Sequence, residues 1–129
     1  MKNHQLFIIS LVLIFLSLPI PAQETPSASG FVYEDRNSNG KRDPGEPGLP
    51  NVLVSNQREV VPTDLTGRWT LPVREDCIFF VIKPRGWMPP VSHQQLPRFY
   101  YVHKPKGSPR SKFPGVKPTG PLPPSIDFP

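Results

Sequence analysis

Cysteine is all but missing from this chain. Cys77 stands alone, so no internal disulfide can form and any cross-link must come from elsewhere. It opens the apolar run Cys77 to Ile82 and reads as a small buried hydrophobe of a strand, since nothing beside it would lower a thiol pKa. A helical apolar period is also absent, and 12 of the 20 prolines lie from Pro84 onward, which excludes a helical bundle. Only one long apolar run exists, at residues 6–18, and it is shorter than the ~20 residues a membrane-spanning helix needs. With Lys2 ahead of it and Pro19-Ile20-Pro21-Ala22 behind, it reads as a secretory signal at 1–22, a retained anchor being the alternative. The mature chain is therefore expected to be exported, periplasmic or extracellular, with no transmembrane segment. Acidic residues are missing between Arg98 and Asp127, a stretch that holds Lys104, Lys106, Arg110, Lys112 and Lys117 interleaved with Phe99, Tyr100, Tyr101 and Phe113. Such a mixture can stack single-stranded nucleic acid. Export removes that partner, so the stretch reads as a solvated linker and no nucleic-acid partner is expected.

What remains is punctuated by turns. After a polar leader at 23–28, Gly30 to Tyr33 reads as a first strand, followed by a loop over Asp35 to Gly48 that is dense in Asp, Asn, Gly and Pro. Pro50 to Ser55 and Arg58 to Pro62 read as a hairpin across a tight Asn56-Gln57 turn. Thr63 to Gly67 turns the chain again, with Asp64 placed to accept backbone amides. Arg68 to Val73 alternates, with Trp69 and Leu71 inward; Cys77 to Lys83 is apolar throughout and reads as a central strand buried on both faces. Phe99 to His103 closes the set. The pattern predicts an all-β fold, a small Ig-like β-sandwich at 29–103 with a proline-rich extended basic linker at 104–129.

One segment carries chemistry. Residues 35–46, DRNSNGKRDPGE, match D-x-[DN]-x-[DN]-G-x5-E at every defined position. Asp35, Asn37 and Asn39 would turn side-chain oxygens to one centre, Gly40 permits the bend that brings in the Lys41 carbonyl, and Asp43 and Glu46 complete the set. Hard oxygens in that number suit a structural Ca2+ ion. Three carboxylates this close repel by roughly 4 kcal/mol per pair at about 4 Å and an effective dielectric near 20, a cost that a cation removes. The flanks are wrong for a helix-loop-helix hand, because strand sequence precedes the loop and Pro47-Gly48-Leu49-Pro50 follows it. An Asx-rich turn that binds nothing is the alternative, helped by the nearby cations Arg36, Lys41 and Arg42.

The stretch Gly30 to Gly40 with Asp43 to Val52 resembles the opening of the calcium-binding B-type repeats of bacterial surface adhesins, which implies a prealbumin-like sandwich. Val54 to Val61, Thr63-Asp64 with Gly67-Arg68, Phe80 to Pro84, Leu96 to Pro105 and Pro118 to Pro123 together resemble the amino-terminal domain of exported calcineurin-like metallophosphoesterases. That resemblance implies a catalytic phosphoesterase domain in cis, entered through a segment like Ser125 to Pro129. The D-x-H, G-D-x-x-D and G-N-H-[DE] signatures of such a domain do not occur in these residues, and His93 and His103 are the only histidines beyond the signal. Two histidines are too few for a two-metal hydrolytic centre, so the chain is expected to be non-catalytic. A free-standing secreted adhesion or carbohydrate-binding sandwich is the alternative, with Trp87 the better placed of the two tryptophans for an exposed contact.

Overall fold

The computed structural model describes residues 25–129, so the expected signal at 1–22 lies outside the described residues. Six strands follow in chain order: β1 (Ser27–Phe31), β2 (Leu53–Ser55), β3 (Val60–Pro62), β4 (Arg68–Pro72), β5 (Cys77–Ile82) and β6 (Tyr100–His103). No helix occurs among the described residues, and hence none long and apolar enough to cross a membrane. β1 and β4 pair as one antiparallel sheet, and β3-β2-β5-β6 form the other.

Alternation explains which side chains meet between the sheets. In β4, Trp69 and Leu71 are buried while Arg68 and Thr70 are exposed. The register sets Ala28 against Leu71 and Gly30 against Trp69 in the small sheet. In the large sheet it lines up Val54 with Val61 and Val81, Phe79 with Tyr101, and Cys77 with His103. The inner faces close on a core centred on Trp69, whose indole lies 5.5 Å from the Phe79 ring and 5.9 Å from the Phe128 ring.

Four details depart from the sequence reading. First, β1 begins at Ser27, and Ala28 is buried, so the first strand starts within the residues read as a polar leader. Second, the β2–β3 connection spans Asn56 to Glu59, with the Asn56 N–H donating to the Glu59 carbonyl at 3.2 Å and Gln57 at φ 77°. Third, β5 is central but buried on one face only: Cys77 and Phe79 are buried, Ile78 and Phe80 half-buried and Ile82 exposed. Two layers supply one interior, and among the described residues no layer lies over the outer side of this sheet.

Fourth, residues 104–129 do not run off as a linker. Lys104 and Thr119 bond reciprocally, the Thr119 N–H donating to the Lys104 carbonyl and the Lys104 N–H to the Thr119 side-chain oxygen Oγ1, closing the intervening residues into a loop. Lys104 and Lys106 pin that loop to the β4–β5 turn through Asp76 (2.8 Å) and Glu75 (2.7 Å). Beyond it, Ile126 and Phe128 enter the core. The Ile126 N–H donates to the Ser29 carbonyl and the Phe128 N–H to the Phe31 carbonyl, so this segment runs parallel beside β1 and forms a single β-bridge with it at Val32 and Phe128. Gly30 makes the approach possible, because a Cβ there would collide with the Ile126 carbonyl.

Candidate functional site

The twelve-residue loop grows out of a short ladder. Leu49 N–H donates to the Val32 carbonyl at 2.8 Å and Glu34 N–H to the Pro47 carbonyl at 3.0 Å, so the chain leaves β1 and returns beside it. Between these ends the Asx pattern folds the backbone. Asn37 Oδ1 and Asp35 Oδ1 both accept from Asn39 N–H at 3.1 Å, and Asn39 Oδ1 accepts from Lys41 N–H at 2.7 Å. Gly40, at φ 70°, turns its N–H onto Asp35 Oδ2 at 2.7 Å, the bend that the motif's glycine is there to permit.

The far half of the loop is tied to the near half by side chains. Asn37 and Asn39 each donate an amide hydrogen to the same oxygen, Asp43 Oδ2, at 2.7 and 2.6 Å. These two bonds, Asn37's first, hold the Asp43 carboxyl below its ordinary pKa. Glu46 accepts from Arg36 N–H and from Asp43 N–H, both at 3.0 Å, one on each carboxylate oxygen. Five of the six residues singled out in the sequence, Asp35, Asn37, Asn39, Asp43 and Glu46, are thus joined in one hydrogen-bonded knot through their side chains; Lys41 joins through its backbone. Part of the expected repulsion is relieved by N–H donors aimed at each carboxylate.

The donor set fits a hard cation in kind: carboxylate and amide oxygens, with no sulfur or imidazole. A half-turn of an Asn amide exchanges NH2 for oxygen at the same point, so Asn37 and Asn39 can face either a carboxylate or a cation. Among the described residues no group of three or more His, Cys, Asp or Glu side chains is gathered at metal-binding spacing, so any such ion would depend on the amides and the backbone as well as the acids.

Two neighbours of the loop were not legible as partners from sequence. The Arg42 guanidinium lies 3.8 Å over the centre of the Phe31 ring, fastening the loop to the outer face of β1. Tyr33, buried at the foot of the loop, has its phenol pushed up to about 12 by burial first and then by the charges of Asp35, Glu46, Asp127 and Asp43. Strand sequence abutting an acidic loop was the available signal for Tyr33; nothing in the sequence paired Arg42 with Phe31.

Beside the loop lies a cleft of about 220 Å³, walled by Tyr33, Trp87, Met88 and Phe99, with Arg98 and Pro129 at its edge. Trp87 is exposed there, as its loop position suggested, whereas Trp69 is core. Of the histidines, His93 sits exposed in a loop and His103 is buried at the end of β6 with no hydrogen-bond partner on Nδ1.

Fold and site together define a small two-sheet β module with an Asx-rich acidic loop built onto its first strand. The family described as the N terminal of Calcineurin-like phosphoesterase matches residues 36–117, and the chain belongs to that family. Colossin-A of Dictyostelium discoideum is similar to it over a shorter stretch, 39% identical across 54 residues that span 40% of this chain and round to 0% of that protein's own length. No solved structure matches.

Proposed function

We propose that this chain is a non-catalytic, calcium-stabilised accessory module of an exported calcineurin-like metallophosphoesterase, joined in cis to the catalytic domain. The observation that carries the reading is the family match over residues 36–117, a region that includes all but the first residue of the acidic loop. The loop supports the calcium part, since its spacing suits oxygen coordination and its five side chains are already drawn into one knot. The ion's role in this reading is to fix the path from β1 to β2, as disulfides do in other small exported domains. Residues that could hold it are Asp35, Asn37, Asn39, Asp43 and Glu46, with the Lys41 carbonyl. Export rests on the apolar run at 6–18 and its flanks.

Two measurements test the reading. The coding sequence that follows Pro129 should supply Asp-, His- and Asn-rich metal-ligand motifs; a stop codon there would remove the accessory role. Thermal melting of the purified chain with calcium and with chelator should give separate midpoints, and Asp35→Asn or Glu46→Gln should bring them together. Equal midpoints in the unsubstituted chain would remove calcium from the account.

A further inference from the structure

The outer face of the large sheet lacks the charged side chains that water-facing strands of an antiparallel sheet carry, and Ser55 and the Tyr100 hydroxyl are its polar groups. Register places Leu53 beside Ile82, Phe80 beside Tyr100 and Ile78 beside Val102 on that face. None of the outward positions in β2, β3, β5 and β6 is charged. Tyr100 is 56% exposed, and Leu53 and Ile82 are each 41% exposed. A sheet with one solvated face shows apolar-in, polar-out alternation, whereas continuous apolar strands belong to sheets covered on both sides. β5 has the sequence of the second kind in the setting of the first. Contiguous apolar surface of this sort marks an interaction site.

We propose that this face is the docking surface for the phosphoesterase catalytic domain, an inference that rests on the accessory reading above. The path of the chain favours that occupant. Residues 126–128 are fixed on β1 by backbone hydrogen bonds, so a following domain is led out from a defined point. Pro129 shares one cleft with Phe99 and an adjoining one with Tyr100. The Phe99 and Tyr100 rings meet edge to face at 5.5 Å and carry the apolar surface from the exit point onto the outer sheet. A domain tethered there is held at high effective concentration over this face, which a second copy of the chain is not.

The test is hydroxyl-radical footprinting of the 129-residue chain and of the longer chain that continues into the catalytic domain. Leu53, Ile82 and Tyr100 should be labelled severalfold more slowly in the longer chain, and the Ile82→Lys, Tyr100→Lys double variant should restore fast labelling at Leu53. Both substituted side chains are exposed, so the melting midpoint of the 129-residue variant should match that of the parent, confirming that it folds. Equal labelling of the two parent chains overturns the proposal, as does protection in the short chain that grows with its concentration, which would name a second copy as the occupant. Failure of the accessory reading is recognised separately, by a downstream sequence without metal-ligand motifs.

Discussion

At Gly30 the backbone carries a contact that no side chain could. A methyl group there would meet the Ile126 carbonyl, so Gly30→Ala must push the C-terminal segment off β1 or distort both. The expected loss is about 3 kcal/mol, the upper end for overpacking, measured by urea unfolding, with faster amide exchange at Phe128 locating the damage. Asn56 has the opposite character, a polar side chain almost wholly buried. Its amide donates to Glu59 Oε2 and to the Pro72 carbonyl, and its oxygen accepts from the N–H groups of Arg58 and Glu59. Asn56→Ala leaves the last three without that partner and should lower stability by about 2–4 kcal/mol in the same assay. Asp64 adds a pH signature. The Thr66 hydroxyl, then the N–H groups of Arg68 and Thr66, hold its carboxyl below the ordinary value of 3.8. Because the folded value lies below the unfolded one, this contribution is complete above the unfolded value and is lost as pH falls through the folded one. The melting difference between the parent and Asp64→Ala should therefore stay constant from about pH 7 to about pH 5 and narrow in stronger acid. Asp64 was readable from sequence as a turn acceptor; the buried duty of Asn56 was not, because Asn-Gln between two apolar runs gives the same signal for a solvated turn.

The strands were legible wherever alternation or apolar composition ran uninterrupted, as Trp69 and Leu71 in β4 and the run from Cys77 to Ile82 in β5 show. The segment at 125–128 was not, although Ser-Ile-Asp-Phe alternates in the same way. Prolines on both sides demote such a stretch, and a parallel partner nearly a hundred residues earlier in the chain leaves no local trace. Yet this segment is bridged to β1 and supplies the ring that stacks on Trp69. Phe128→Ala should thus behave as a core substitution and cost about 3–5 kcal/mol in denaturant unfolding. A red shift of Trp69 emission in the native state would place the damage at the stack, whereas an unchanged stability would mean that the segment rests on the sheet without contributing to it. For the acidic loop, sequence spacing singled out the residues that meet, because Asx turns and the Gly40 bend are local. The anchors to the sheet, Arg42 on Phe31 and Tyr33 beneath, are not local and emerged only from the fold.

As a whole the molecule joins a small core to a loop whose closure depends on electrostatics. With Cys77 as its one free cysteine, no disulfide joins these residues, and ordering the path from β1 to β2 rests on the ladder at Val32 and Leu49, on the hydrogen bonds that converge on Asp43 and Glu46, and, in the proposed function, on calcium. Linkage sets the size of the last contribution. Extracellular modules with this kind of loop bind calcium at about 10⁻⁴ to 10⁻³ M, so 10 mM calcium, roughly ten to a hundred times that, would stabilise the folded chain by about 1.4–2.7 kcal/mol. For a domain of this size that corresponds to a rise in melting temperature of several degrees. Magnesium at the same concentration should give a smaller rise, because it demands a tight octahedral shell and gives up water reluctantly, whereas a loop of mixed amide, carboxylate and carbonyl oxygens suits a larger ion. Glu46→Gln should abolish most of the calcium increment and lower the melting point in chelator slightly, since the one amide oxygen brings no charge to a cation and can accept from only one of the Arg36 and Asp43 N–H groups that now take an oxygen each. Equal shifts with both ions, or an increment that survives Glu46→Gln, would mean that divalent ions act on the surface at large and that the loop is held by its hydrogen bonds alone.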